Sequence, residues 1–257
     1  MVRFAISALL TIALPLWAST AQAQVAYETS AASTNVTFVA AGETETFSFN
    51  AGTGANRALA VFVGWRDRDN TISGITYNGV AMTAQAAKVV EGTIAAGQVW
   101  CLAGPASGAN NIAVTMGVGT DEAQAQISAW VANGVDQTTP CDGYAGNSGN
   151  ASTANIVSSV TVSSATNDLV AAFHFTYNES AVITSSPTGY TERQDTDNAS
   201  GLSTAWGDQA GAASVATSST WSNGAYLVRW VAMGVNFNAA AAAGGCPGML
   251  LRGVCDE

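Results

Sequence analysis

The chain has 257 residues, only 10% of them charged, and a formal net charge of −10. Its eight Lys and Arg residues are scattered, so no cluster can neutralise a phosphate backbone, which argues against nucleic acid and a bare anionic membrane as partners. Ala, Gly, Ser, Thr and Asn dominate instead, and a surface solvated by hydroxyls and amides suits an exported protein.

In chain order, residues 1–23 read as a signal peptide. Arg3 supplies a positive start, Phe4 to Trp17 is an almost unbroken apolar run, and Ala21-Gln22-Ala23 fits the small-residue cleavage pattern. The run is too short to cross a bilayer of about 30 Å as a helix. No similar run occurs later in the chain, so no transmembrane segment is expected after cleavage. The exported chain then begins near Gln24 and keeps about 234 residues, enough for a real core.

Period-two patterning dominates the chain from Gln24 onward. In a first half, 24–140, the odd positions Leu59, Val61, Val63 and Trp65 form one apolar strand face. Ile75-Thr-Tyr-Asn-Gly-Val80 predicts a hairpin, because Asn78-Gly79 suits a type I′ turn. In a second half, 141–238, Leu169, Ala171, Phe173, Phe175 and Tyr177 repeat the alternation. The halves align: Asn56-Arg-Ala-Leu-Ala-Val-Phe against Asn167-Asp-Leu-Val-Ala-Ala-Phe, Trp100 against Trp206, and Trp130-Val-Ala-Asn-Gly-Val against Trp230-Val-Ala-Met-Gly-Val. The closing strand of the second half is apolar on both faces, with Leu227, Val231, Met233 and Val235 on one and Tyr226, Val228, Trp230 and Ala232 on the other. Such a strand is covered on both sides. The expected fold is therefore all-β: an antiparallel β-sandwich or jelly roll in which two related halves pack as one unit. Arg229 interrupts that apolar strand without an evident partner.

The strings N-R-A-L-A-V-F-V-G-W, I-S-G-I-T-Y-N-G-V-A-M-T, V-W-C-L and W-V-A-N-G-V-D-Q-T-T-P, spread over residues 46–140, resemble an uncharacterised β-sandwich module. That module recurs in bacterial exported proteins and phage-associated structural proteins. The resemblance implies a sandwich in an extracellular setting and brings no catalytic residue with it.

Four cysteines in an exported chain read as two disulfides, with three connectivities open. Local pairing of Cys246 with Cys255 leaves Cys101 for Cys141. A zinc site lacks the usual close cysteine spacing. His174 is the only histidine; it reads as a partly exposed strand residue instead of a triad base, and no G-x-S-x-G elbow accompanies it. Paired carboxylates could support glycoside hydrolysis, but the acidic residues fall mostly in turns and strand ends. The segment Arg66-Asp-Arg-Asp-Asn70 reads as an internally paired turn, because its arginines oppose a cation. Glu192, Asp195, Asp197 and Asn198 carry less opposing charge and are the candidate Ca2+ ligands; no other cofactor is expected. Trp100, Trp206, Trp221, Tyr77 and Tyr190 are candidate stacking platforms for a glycan, set against the ordinary role of such rings in a core.

Residues 239–257 form an Ala/Gly linker and a Cys246–Cys255 loop carrying Met249, Leu250 and Leu251. That loop is a candidate docking element for a surface partner or another copy of the chain. Together these features point to a secreted, non-catalytic structural or surface protein of an envelope, filament or virion. A glycan-binding module or adhesin and a secreted carbohydrate-active enzyme are the alternatives.

Overall fold

The computed structural model describes residues 23–32, 35–92, 94–117, 119, 122–178, 184–197, 201–222 and 226–241. Residues 1–22 of the expected signal peptide, Asn198, and the expected Cys246–Cys255 loop with Met249, Leu250 and Leu251 lie outside them. Every named element is a strand. The first set is β1 (Ala26–Ala32), β2 (Val36–Phe38), β3 (Thr44–Asn50), β4 (Ala58–Arg66), β5 (Ile72–Tyr77), β6 (Val80–Ala81), β7 (Thr83–Ala84), β8 (Val89–Val90), β9 (Ala95–Ala103), β10 (Ala109–Met116) and β11 (Ala123–Asn133). The second is β12 (Cys141–Ala151), β13 (Ile156–Ser163), β14 (Leu169–Tyr177), β15 (Thr184–Thr188), β16 (Thr191–Asp197), β17 (Leu202–Ala210), β18 (Ser214–Ser222) and β19 (Val228–Phe237).

Alternation in sequence becomes alternation in burial. Ile156-Val-Ser-Ser-Val-Thr-Val-Ser alternates buried and exposed along all of β13, and β18 does nearly the same. β4 and β14 differ, being buried on both faces. They are the middle strands of two inner sheets, ordered β1-β11-β4-β9-β7 and β12-β19-β14-β17-β16. Each inner sheet is backed by an outer one, β3-β10-β5-β6 or β13-β18-β15. Strands next to each other in a sheet are mostly not consecutive in sequence, and the chain passes back and forth between inner and outer sheet. That winding is a jelly roll, and the strand order is the same in both halves. All pairings between these strands are antiparallel.

The inner sheets meet face to face, so the molecule has four layers and three cores. Leu59, Val61, Val63 and Trp65 point into the first sandwich with Ile75, Tyr77, Ile112 and Ile127. Val160, Val170, Trp221 and Trp230 fill the second. Between the inner sheets, Ala58, Ala60 and Phe62 meet Leu169, Ala171, Phe173 and Phe175, flanked by Trp130, Trp206, Val231 and Met233. Phe62 stacks on Phe173 with ring centroids 5.7 Å apart. A Cβ on Gly64 would lie 2.5 Å from a Phe175 ring carbon, so that glycine makes room for the ring. β4 and β14 thus run in the same direction, in step. β9 lies over β19, β11 over β17, β8 over β12 and β1 over β16. This is the pattern of a half-turn about an axis along β4 and β14, which exchanges the two halves.

That symmetry corrects the alignment of two tryptophan pairs. Asn56 and Asn167 both take left-handed φ, 51° and 75°. The Arg57 carbonyl accepts from Gly104 N–H as the Asp168 carbonyl does from Gly211, both at 2.8 Å. Phe62 is therefore equivalent to Phe173, and Ala60 to Ala171. Trp130 pairs with Ala60 in register, whereas the residue opposite Ala171 is Val235. Trp230, five residues earlier, points into the second sandwich while Trp130 points between the halves. The matching W-V-A-x-G-V strings are similar sequence in non-equivalent places. Likewise Trp206 lies opposite Phe173, and its counterpart opposite Phe62 is Val99 and not Trp100.

Cys101 on β9 is bonded to Cys141 at the start of β12, so the disulfide ties the first half to the second. A closed loop of 40 residues contributes roughly 4 kcal/mol in the chain-entropy treatment. Arg229 finds its partner across the same junction: its Nε lies 4.0 Å from Glu91 Oε2, and Asn150 donates to the other Glu91 oxygen at 2.6 Å.

Candidate functional site

The aromatic residues read as sugar platforms are mostly used inside the molecule. Tyr77 and Trp221 are 0% exposed, Trp206 is 2% and Tyr190 9%. Tyr77 OH closes one end of the first sandwich by donating toward the Gly108 carbonyl at 3.0 Å. Trp206 packs edge-on against Trp130, and Trp221 Nε1 donates to Ser158 Oγ at 2.8 Å. Trp100 is half-buried against the first core. A pyranose needs an open ring face, and none of the four buried rings presents one. Their strand positions were legible from the alternation, but which layer each strand face meets was not.

His174 is also inside, at 0% exposure. Its even position on β14 aims it into the second sandwich, against the hydroxyls of β13 and β18. Nδ1 lies 3.0 Å from Ser158 Oγ and Nε2 3.3 Å from Thr217 Oγ1. The ring stacks on Tyr190 at 5.5 Å, and Tyr190 OH is bonded to Ser219 Oγ. Burial pushes the His174 pKa down to about 3, because no nearby charge compensates the desolvated cation. A neutral imidazole held between two hydroxyls in a closed core is a packing element.

Of the acidic group on β16, Glu192 and Asp195 are brought together. A bulge between Glu192 and Gln194 puts them on one side, where the Ser185 hydroxyl lies 3.1 Å from Glu192 Oε1 and 3.3 Å from Asp195 Oδ2. Among the described residues, no three His, Cys, Asp or Glu side chains converge as a metal centre. The turn after β4 is internally paired: Asp67 Oδ1 accepts from Asp69 N–H and Oδ2 from Asn70 Nδ2. Lys88 Nζ donates to the Asn70 carbonyl at 2.8 Å.

Clefts open at the junction of the halves. One of about 510 Å³ lies beside the disulfide, lined by Cys101, Leu102, Gln137, Pro140 and Cys141. Another of about 480 Å³ is lined by Tyr27, Thr191, Arg193, Asp208 and Gln209. There Arg193 makes two hydrogen bonds to Asp208, at 2.7 and 3.0 Å, which raise its pKa. Its guanidinium also covers the Tyr27 ring at 4.0 Å. The charged pair of this cleft is thus committed to joining β1 of one half to β16 and β17 of the other.

The two outer sheets turn uncharged rows outward. On the second outer sheet Thr188, Ser218 and Ser159 sit side by side across three strands, and Ser186, Thr220 and Val157 form the next row. Ser163 with Ser214, and Thr161 with Ala216, continue the array. On the first outer sheet Thr44 pairs with Thr115, Thr46 with Ala113, and Ser48 with Asn111. Across the sheet, Thr76 lies on the other side of Ala113. All these side chains are exposed or half-exposed, and none is charged. The signal was present in the sequence as period-two hydroxyls, Thr44-x-Thr46-x-Ser48 and Ser214-x-Ala216-x-Ser218-x-Thr220-x-Ser222, but the composition alone did not place them on two faces. Compared with protein-family models, curated proteins and solved structures, the chain matches none. Its geometry therefore carries the functional reading.

Proposed function

We propose that the chain is an exported, non-catalytic protein of a surface, an envelope, filament or virion component, whose role is to hold two outer faces on one rigid body. The observation that carries this reading is where the side chains are used. The single histidine and four of the five candidate rings are locked in cores, while the outward faces of the two outer sheets carry uncharged side chains on opposite sides. The cross-half disulfide, the N-terminal signal pattern and the resemblance to modules of exported and phage-associated structural proteins support the setting. A glycan-binding module is the second reading, and the hydroxylated faces favour it.

Export is tested by expressing the full chain in a bacterial host and fractionating the cells. The expected product lies outside the cytoplasm, has lost residues 1–23 by intact mass, and has Cys101 bonded to Cys141. A chain kept in the cytoplasm with its N-terminus intact and both thiols free contradicts the proposal.

A further inference from the structure

The half-turn that exchanges the halves would put like chemistry on both sides of the layer between the inner sheets, yet the two sides differ. On the side where β11 lies over β17, Gln126, Ser128 and Trp130 flank Gly64, Phe62 and Ala60, while Thr204 and Trp206 flank Phe175 and Phe173. The half-turn carries these five positions onto Val231, Met233, Val235, Gly97 and Val99, where β9 lies over β19. Each residue with a polar group is thus matched by an apolar residue or a glycine. Alternation puts Gln126 and Ser128 on the face of Trp130, and Thr204 on that of Trp206. Both indoles belong to the core between the halves and meet edge-on with centroids 5.6 Å apart. Because Gly64 faces Phe175 and Phe62 faces Phe173, Gln126 is level with Thr204, and Ser128 with Trp206.

These groups are buried and meet no partner within the protein. None of the five residues is more than 2% exposed, and Gln126 Oε1, Ser128 Oγ, Thr204 Oγ1 and the Nε1 atoms of Trp130 and Trp206 have no hydrogen-bonding atom in reach. Thr196 Oγ1, opposite Thr204 on β16, is in the same condition. Gln126 Nε2 is used, donating to Asn35 Oδ1. A polar group withdrawn from water without a partner is strongly disfavoured, so a row of them requires a ligand, and their chemistry selects it. An indole N–H only donates, an amide oxygen only accepts, and a hydroxyl does both. A cation would leave the indoles unmet, an anion the amide oxygen, and an apolar molecule every group. The charged pair of the neighbouring cleft, Arg193 and Asp208, is bonded to itself. We propose that this seam binds a file of internal water, which accepts from the indoles and donates to Gln126 Oε1, with the hydroxyls serving in either sense. The cleft beside Tyr27 and Asp208 is the way in, since Tyr27 packs on Trp130 with centroids 5.0 Å apart. The seam belongs to the junction of the halves and is independent of where the protein resides.

The test is a high-resolution crystal structure of the chain, joined to magnetic relaxation dispersion of the water signal in solution, which reports internal waters that exchange slowly. Separate density peaks should lie within hydrogen-bond distance of Gln126 Oε1, Ser128 Oγ, Thr204 Oγ1 and at least one indole Nε1. Thr204→Val keeps the shape of the side chain and removes its hydroxyl, so the protein should lose part of the dispersion amplitude. Ser128→Ala is the second variant and should do the same, and a single cooperative melt certifies the fold of each. Side chains turned to bond one another, with no density between them, overturn the proposal. An amplitude that both substitutions leave unchanged overturns it too. Density for one larger molecule in the seam, such as a polyol, would overturn water as the occupant.

Discussion

Arg57 and Asp168 occupy equivalent places, each following a left-handed asparagine, and they organise the same end of their halves with opposite charge. Arg57 is buried and donates to the carbonyls of Ala51 and Pro105, both at 2.9 Å, and to Ser107 Oγ at 2.7 Å. Asp168 accepts from Ala165 N–H, Ala239 N–H and Asn236 Nδ2 at 3.0, 2.8 and 2.8 Å. Arg57→Ala should therefore cost on the order of 3 kcal/mol in denaturant unfolding, because it leaves buried carbonyls without a donor. His174 makes a prediction in pH. Its folded pKa of about 3 lies below the ordinary imidazole value of 6.5, so between these values the unfolded chain binds the extra proton and stability falls as pH falls. The loss attributable to His174 approaches about 1.4 kcal/mol per pH unit in the middle of that window. The difference in stability between the unmodified chain and His174→Gln should shrink or reverse toward pH 4. A difference independent of pH from 7 to 4 would contradict the burial of the imidazole.

Elements are where the sequence was most legible and where its limits are clearest. Alternation located β4 and β14, and the doubly apolar β19 announced that the halves pack together. What alternation cannot supply is register between layers, since a one-residue slip exchanges the faces of a strand. The odd positions from Leu59 and from Leu169 look alike, yet the first set faces its own outer sheet and the second faces the other half. The identity of Trp130 and Trp230 misled for the same reason. His174 lay visibly on the less apolar side of its strand, but the hydroxyls opposite it come from β13 and β18, which only pairing brings there. At Gly64 the two halves depart from symmetry, and the missing side chain admits Phe175. Gly64→Ala should destabilise by about 1–3 kcal/mol through overpacking, and Phe175→Ala by about 3–5 kcal/mol through a cavity, both read from urea midpoints. A neutral Gly64→Ala would mean that the inner sheets do not pack at this spacing.

For the whole molecule, the junction joins the halves by an apolar layer, a disulfide, and rim contacts of which Glu91–Arg229 is the most buried. Glu91 is 1% exposed, so Arg229→Met strands a buried carboxylate and should cost about 3–5 kcal/mol. Adding Glu91→Gln should restore part of that loss, and the double-variant cycle measures how much belongs to the pair. Neither partner was readable as such from the sequence, because a contact between the β8 end and β19 depends on how the sandwiches face each other. The same dependence makes cooperativity the sharpest test of the four-layer body. Scanning calorimetry of the chain with its disulfide intact should give one transition whose calorimetric and van't Hoff enthalpies agree. Two separable transitions, one for each sandwich, would contradict the single rigid unit on which the functional reading stands.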